Sequence, residues 1–300
     1  MRLFADVWRK ADRDRILGLA GENAFMGVLT VFPTLAVFAA VLGQLGLVIG
    51  DENTAKVKRA VTEFLKQVLT SSASGVDQTV SDLFASSGNA FTIALLVALA
   101  SVAQAFASVL NTVTLAYDVQ DRRGWWKRRF IGLLLGAGSV LTGAVMVTAL
   151  VIGPFFGSAA HVVTQVGLSE EYAFVWSYVR FPIALIALVA WAATLFHICP
   201  DRPTRWRAGL PGAFLTSFLW LVASILFSSY LKVVVPKSPV VGALGGGLIL
   251  MTWIYLLCLS LLIGAELNAT LIARRAARIL HDDPSAVDGP ELLEDQRPNG

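Results

Sequence analysis

Charged residues are scarce in this sequence: they occupy 15% of its 300 positions, whereas apolar residues occupy 56%. Soluble domains average about 25% charged and roughly 45–50% apolar residues, so a water-soluble fold of this length could not bury so much apolar surface. Cysteine is also scarce. Its two occurrences, Cys199 and Cys258, lie at or within apolar segments, so the sequence contains neither a disulfide framework nor a zinc site.

Histidine is equally rare, with three positions, His161, His197 and His281, on different segments. A metal-dependent nuclease requires clustered histidines and carboxylates, and this spacing provides no such cluster. The phosphate-binding pattern G-x-x-x-x-G-K-[ST] is absent as well. We therefore expect no catalytic activity, no metal site and no cofactor, and we expect His197 to be an interfacial residue with satisfied polar contacts.

The apolar residues are concentrated in six long runs, each close to the roughly 20 residues that an α-helix needs to cross the hydrocarbon. Lipid offers no partner to backbone N–H and C=O groups, and the runs lack the alternation of barrel strands, so each run is predicted to be a helix. The predicted fold is all-α: a polytopic membrane protein whose bundle of six transmembrane helices forms one domain, residues 21–275. The predicted helices cover residues 24–49, 89–115, 131–156, 180–199, 209–231 and 242–267.

The segments outside these runs have their own patterns. Residues 1–20 carry apolar side chains at helical spacing, with Trp8 beside two basic residues, which predicts an N-terminal helix lying in the membrane interface; a solvated helix is the alternative. Similar spacing within the first external loop, about residues 50–88, predicts two short amphipathic helices. Residues 276–300 are acidic and contain Pro and Gly, which predicts a disordered cytoplasmic tail.

Lysine and arginine are distributed unevenly among the segments that join the runs. Most of the 24 basic residues lie in the two terminal segments and in the second and fourth loops, which share one side of the predicted bundle. Cytoplasmic segments carry the excess of basic residues, so this side is predicted to be cytoplasmic, with both termini on it. Because topology accounts for the basic residues, we do not expect nucleic acid as a partner.

Four stretches of the sequence form a recognisable set. They are Phe32-Pro33 in the first run, Asn111 followed by RRGWWKRR at 122–129, FHICPDRPTRWRAGLPGA at 196–213, and VVGALGGGLILMTWIYLLCLSLLIGAELNA at 240–269. In this order they resemble the YihY/virulence factor BrkB family, once labelled ribonuclease BN-like, although Val241 stands where the family usually has tyrosine. The resemblance covers roughly residues 10–275 and implies a six-helix, multi-pass protein of the bacterial inner (plasma) membrane. The nuclease label of the family is regarded as a misassignment, so the resemblance implies no enzymatic activity.

Polar side chains inside the runs are the candidate functional residues, because such groups are costly in lipid and usually face a cavity or a partner. Ser101, Gln104 and Ser108 of the second helix share one face with Asn111 and Asp118, and this face is predicted to point into the bundle. The face either lines a polar path from mid-membrane to the cytoplasm or makes interhelical hydrogen bonds. Further candidates near the cytoplasmic ends of helices one and six are Glu22, Asn23, Glu266 and Asn268.

Two charged candidates allow more than one interpretation. Glu266 could pair with a neighbouring arginine, stay protonated, or hold a proton or cation during transport. Arg180, at the outer start of the fourth helix, could attract an anionic headgroup or substrate, or could simply extend to the interface.

Proline and glycine mark expected kinks and close contacts. Pro33, Pro154 and Pro182 each remove one helical hydrogen bond, and interrupted helices often line transport sites, although static kinks are the alternative. Small residues four positions apart, such as Gly132 and Gly136, predict close helix packing.

The intramembrane polar residues and the kinks together favour a transporter or lipid-handling protein of the cell envelope. It would move an amphiphile or a small anion, with membrane lipids as its partners. The alternative is a non-catalytic membrane scaffold or envelope-organising protein. In that case the outer loop and both tails would contact an envelope protein partner or form a homo-oligomer.

Overall fold

The computed structural model describes residues 2–49, 89–147, 170–201, 205–234 and 239–282 of the chain. This part of the chain folds into seven α-helices and one short 3-10 helix, Trp206–Gly209, and contains no strand. The all-α prediction is therefore confirmed. The α-helices are α1 (Arg2–Arg13), α2 (Ile16–Ile49), α3 (Asn89–Ala116), α4 (Trp125–Val147), α5 (Glu170–Ile198), α6 (Leu210–Val234) and α7 (Pro239–Asp282).

Within these ranges, four helices are long and apolar enough to cross a membrane. They coincide with the second, fourth, fifth and sixth predicted helices, so the helical, membrane-embedded character of the chain is confirmed. α2 and α4 include parts of the other two predicted segments, and α2 contributes a shorter apolar stretch, Ile16–Val31. The predicted loop helices within 50–88 and Pro154 lie outside the described residues. The four spans are Leu95–Ala116, Phe181–Ile198, Trp206–Val233 and Gly247–Arg278.

Two helix breaks lie side by side at one end of the bundle. Arg15, between α1 and α2, has a φ of 54°, and Asp118, just after α3, has the same left-handed value. Few residues with a Cβ adopt this conformation, and it ends a helix. The breaks bring Arg13 of α1 to Asp118, with 3.3 Å between the guanidinium Nη2 and the carboxylate Oδ1.

Glycine permits two close helix contacts. On Gly132 of α4, a Cβ would lie 2.5 Å from the carbonyl oxygen of Ala103 in α3, and on Gly136 it would lie 2.3 Å from the side chain of Val102. The close packing predicted from the spacing of these two glycines is confirmed. Only residues 117–124 connect α3 to α4, and two packed helices joined by so short a connection run antiparallel.

The core and the outer faces have the composition expected of a bundle in lipid. Leu110 of α3, Phe196 of α5 and Leu262 of α7 are fully buried where these helices meet. Large apolar side chains such as Ile186 of α5 and Ile225 of α6 are exposed on outward faces, where hydrocarbon rather than water would surround them.

The last helix, α7, has 44 residues and therefore a length of about 66 Å at 1.5 Å per residue. This is roughly twice the ~30 Å thickness of the hydrocarbon. The helix continues to Asp282, so the segment 276–300, predicted as a disordered tail, begins inside it. Its first residues are rich in Ala and Arg, which are good helix formers, and Pro284 follows. Residues 283–300 lie outside the described residues.

Candidate functional site

A groove of about 560 Å³ lies on α3 between α2 and the start of α4. Ser101 and Gln104 of α3 line it, as do Trp125, Trp126 and Arg129 of α4. Two of the five residues predicted to share a polar face on the second helix therefore line this groove. The remaining lining is largely apolar and comes from α2 and α3.

α2 contacts α3 beneath this groove through a threonine. The hydroxyl of Thr30 donates to the backbone oxygen of Met26, 2.8 Å away, and lies 3.3 Å from the backbone oxygen of Ser101. The Ser101 hydroxyl donates to the oxygen of Val97 in its own helix, at 2.8 Å. These polar groups are satisfied by backbone oxygens, so they do not make the groove strongly polar.

The first turn of α4 supplies an aromatic and cationic end to the groove. The rings of Trp125 and Trp126 meet edge to face with centroids 4.5 Å apart, and the guanidinium carbon of Arg129 lies 5.2 Å from the Trp125 ring centroid. Such a contact is a cation–π interaction. Trp126 is 79% exposed, as is common for tryptophan at a membrane interface.

Outside the groove, two pairs of polar side chains join α2 to α3. Ser108 lies 3.4 Å from the exposed Glu22 carboxylate, hydroxyl to Oε1. Asn23 is buried, and its Nδ2 donates to Thr112 Oγ1 at 2.8 Å. Asn111, in contrast, is exposed. Thr112 was not among the sequence candidates, because threonine inside an apolar helix normally bonds its own backbone and gives no distinct signal.

Glu266 lies in an ionic cluster rather than in the groove, and this cluster extends from the buried Glu266 to the exposed Asp118. The Lys10 ammonium of α1 lies 3.0 Å from Glu266 Oε2, 3.1 Å from Asp118 Oδ2 and 3.3 Å from Asp14 Oδ2. Glu266 is fully buried, and Lys10 also donates to the backbone oxygen of Ala116. The partner of Glu266 is therefore a lysine of the N-terminal helix, whereas the sequence interpretation named an arginine.

The charges of this cluster shift the pKa values of its members on α1 and just after it. Burial by itself lowers the Lys10 pKa, but the facing Glu266 and Asp118 carboxylates outweigh it and raise the pKa overall. Burial would raise the Asp14 pKa, yet Arg13 and Lys10 hold it below its usual range. Lys10 was interpreted only as one of the basic residues that indicate topology, and Asp14 was not considered, although their i,i+4 spacing indicates a shared face.

Asn268 has a structural role at the start of α6. Its Oδ1 accepts a hydrogen bond from the backbone N–H of Gly212 at 2.7 Å, and its Nδ2 donates to the oxygen of Gly209 at 3.0 Å. Asn268 is fully buried, so both bonds are shielded from solvent. A Cβ on Gly212 would lie 2.2 Å from the oxygen of Gly264, which shows how closely α6 and α7 approach here.

A further set of polar contacts, which the sequence analysis did not predict, joins the loop before α4 to the end of α5. Arg123 Nε lies 2.6 Å from Asp201 Oδ1, and its two Nη atoms donate to the oxygens of Ile198, Cys199 and Pro200 at 2.9–3.1 Å. The Arg123 guanidinium holds the Asp201 pKa below its usual range. Both residues belong to the stretches that carried the family resemblance, which was the available signal.

The remaining candidates lie apart from the groove and the cluster. Pro33 lies inside α2 and Pro182 inside α5, and both helices continue through them. Arg180 belongs to α5, but its side chain is outside the described part, and His197 is exposed. Across the described ranges, no three His, Cys, Asp or Glu residues group in a way that could hold a metal ion.

Comparison with known proteins gives a family match over most of the chain. A family model described as Virulence factor BrkB matches residues 7–288. The ribonuclease-like protein YfkH of Bacillus subtilis (strain 168) is 26% identical over 258 residues, which cover 85% of this chain and 90% of that protein. No solved structure matches the chain.

Two further relatives carry the name UPF0761 membrane protein. The one from Xanthomonas oryzae pv. oryzae is 27% identical over 272 residues, 90% of this chain and 60% of the relative. The one from Chlorobium phaeobacteroides (strain BS1) is 24% identical over 269 residues, 87% of this chain and 58% of the relative. The chain thus spans less than two thirds of the length of both.

Proposed function

The chain is a membrane protein of the virulence factor BrkB family, and on this premise we propose that it is a transporter or lipid-handling protein of the bacterial cell envelope. The family match agrees with the resemblance seen in the four sequence stretches. The proposed cargo is an amphiphile, a molecule with a charged end and an apolar body.

The groove on α3 is the observation that carries this proposal. It combines a cation, Arg129, with largely apolar walls in which Leu29 and Val97 are 49% and 51% exposed. A small hydrated anion would lose its water against such walls without recovering enough polar contacts. An amphiphile gains from both ends, because its charge meets Arg129 while its apolar part covers exposed side chains.

The proposed topology completes the picture around the groove. The six predicted helices, 24–49 to 242–267, would all cross the inner membrane, with both termini in the cytoplasm. The basic loop before α4 would then lie at the cytoplasmic surface, and the groove would open toward the inner leaflet. The excess of basic residues on this side supports that orientation.

The proposed role is not catalytic. The residues that the structure describes include no grouped metal ligands, and the buried carboxylate Glu266 is paired with Lys10 rather than free to act as an acid or base. The ribonuclease-like name of YfkH belongs to that relative, while the other two relatives are named as membrane proteins.

Reconstitution into vesicles tests the proposal. Vesicles with wild-type protein should equilibrate fluorescent phospholipids between leaflets faster than empty vesicles, as read from quenching by dithionite. Ala100→Trp places a large ring in the groove and should remove most of this activity. Ala137→Trp is the matched control, because Ala137 is an exposed alanine of α4 outside the groove. Wild-type vesicles that behave like empty ones would reject the proposal.

A further inference from the structure

Arg129 is the charged member of the groove lining in the described part of the chain. Its neighbours have partners: Arg128 Nε lies 2.8 Å from Asp121 Oδ2, and Arg123 pairs with Asp201. Arg129 contacts the Trp125 ring and has no carboxylate partner among the described residues. Its charge is therefore available to a ligand, and a planar guanidinium is well suited to a phosphate.

Gln104 provides a second unmatched group inside the groove. Its side chain is half-buried, and within the described ranges its amide has no hydrogen-bond partner. An amide in an apolar setting without a partner costs free energy, so a ligand oxygen placed there would be bound favourably. Gln104 lies deeper in the bundle than Arg129, by about one helical turn or roughly 5 Å, as judged from the contact of Gly132 with Ala103.

The apolar part of the groove continues beyond Gln104. Val97 lies seven residues before it on α3, which corresponds to about 10 Å along the helix. Leu29 of α2 and Ala100 of α3 also line this stretch, and Leu29 and Ala100 are exposed. The groove thus presents, in order, a cation, an amide and an apolar channel.

We infer that the groove binds an anionic glycerophospholipid, with its phosphate at Arg129, a glycerol ester oxygen at the Gln104 amide and one acyl chain along α2 and α3. This order of groups matches the order of the lining, and an uncompensated positive charge favours a lipid of net negative charge over a zwitterionic one. The inference names the amphiphile of the proposed function and rests on the same groove. Binding and transfer are nevertheless measured separately.

Photolabelling in phosphatidylcholine nanodiscs tests this inference. The probes are phosphatidylglycerol and phosphatidylcholine, each with a diazirine in the first half of one acyl chain, and labelled peptides are mapped by mass spectrometry. We expect phosphatidylglycerol to label residues 26–30 and 97–104 several-fold more than phosphatidylcholine. Equal labelling by the two probes, or labelling elsewhere on the bundle, would overturn the inference.

Variants separate the charge from the fold. Arg129→Gln should lower groove labelling by phosphatidylglycerol roughly tenfold, because losing one charge-assisted hydrogen bond of about 1.4 kcal/mol weakens binding tenfold. Arg129→Lys should restore part of it, whereas Arg207→Gln, which removes an exposed charge of the 3-10 helix outside the groove, should have no effect. Unchanged labelling of Arg129→Gln would contradict the inference.

Two controls distinguish the alternatives. Excess inorganic phosphate should not displace the probe, because the apolar channel holds the acyl chain; displacement would show that the site binds phosphate alone. Selective groove labelling without any acceleration of leaflet exchange would leave the inference standing and reject the transfer role. If leaflet exchange is accelerated but the two probes label the groove equally, the transfer role stands and the inference of an anionic lipid is overturned.

Discussion

Lys10 of α1 and Glu266 of α7 form a buried ion pair, with 3.0 Å between Nζ and Oε2. The two residues lie in the first and last helices of the described chain, so the pair fastens the N-terminal helix to the bundle. Removing one member of a buried pair leaves an uncompensated charge, which is far more costly than losing an exposed ion pair.

Lys10→Met should therefore lower the free energy of unfolding by about 3 kcal/mol. Adding Glu266→Gln should recover at least half of the loss, because it neutralises the orphaned carboxylate. Thermal and denaturant unfolding in detergent measure both effects. Arg9→Met, which removes an exposed charge from the same helix, is the control and should stay within about 0.5 kcal/mol of wild type. A Lys10→Met protein as stable as this control would contradict the role of the pair.

The pair formed by Arg123 and Asp201 should make stability depend on acid pH. The folded-state pKa of Asp201 is lowered, chiefly by Arg123. The Asp201 carboxylate therefore stabilises the fold above its unfolded pKa of about 3.9, and this stabilisation is lost as pH falls through the lower folded pKa. Melting temperatures of wild type and Asp201→Asn should differ near pH 7 and converge in strong acid. Asp12→Asn, at an exposed aspartate whose side chain has no partner among the described residues, should match wild type throughout. A difference between wild type and Asp201→Asn that persists in strong acid would argue against this assignment.

The contact between α6 and α7 should not tolerate a methyl group. Gly264→Ala would place its Cβ 2.0 Å from Thr216 Oγ1, so we expect a loss of about 1–3 kcal/mol in unfolding free energy. Gly21→Ala in α2 meets no atom within 4 Å and should be neutral or slightly stabilising, because alanine favours helix. Unfolding followed by intrinsic fluorescence compares the two variants. Equal stability of the two would show that the helices can separate at little cost.

The two candidate asparagines should behave differently. Asn268→Ala removes two buried hydrogen bonds to the start of α6 and should cost about 2–3 kcal/mol. Asn111→Ala, at an exposed position, should change stability by less than about 0.5 kcal/mol. Denaturant titration in detergent gives both values. The reverse order would mean that Asn111 has the buried structural role.

The sequence predicted the features that depend on local composition. Long apolar runs identify membrane helices without knowledge of their neighbours. The 3-4-3 spacing of four polar residues predicted one face that points into the bundle, but Ser101 and Gln104 line the groove, whereas Ser108 is buried and Asn111 is exposed. Consecutive side chains of an α-helix point about 100° apart, which explains why Asn111 is exposed while the adjacent Thr112 is buried.

The features that sequence reasoning missed depend on distant contacts. The partner of Glu266 lies 256 positions earlier in the chain, and nothing local to either residue indicates the pairing. Lys10 looked like one of several basic residues that set topology, and only the docking of α1 distinguishes it from Arg9. Arg123 was equally hidden within a run of basic residues.

The close succession of contacts on α7 limits how the bundle can move. Gly264 touches α6, Glu266 holds α1, and Asn268 binds the backbone before and at the start of α6, all within little more than one helical turn. Any rotation of α7 would therefore move α1 and α6 together with this turn. If α7 tilts within the bundle, residues 264–268 would move least and its N-terminal end at Pro239, which is farther from them than Asp282, would move most.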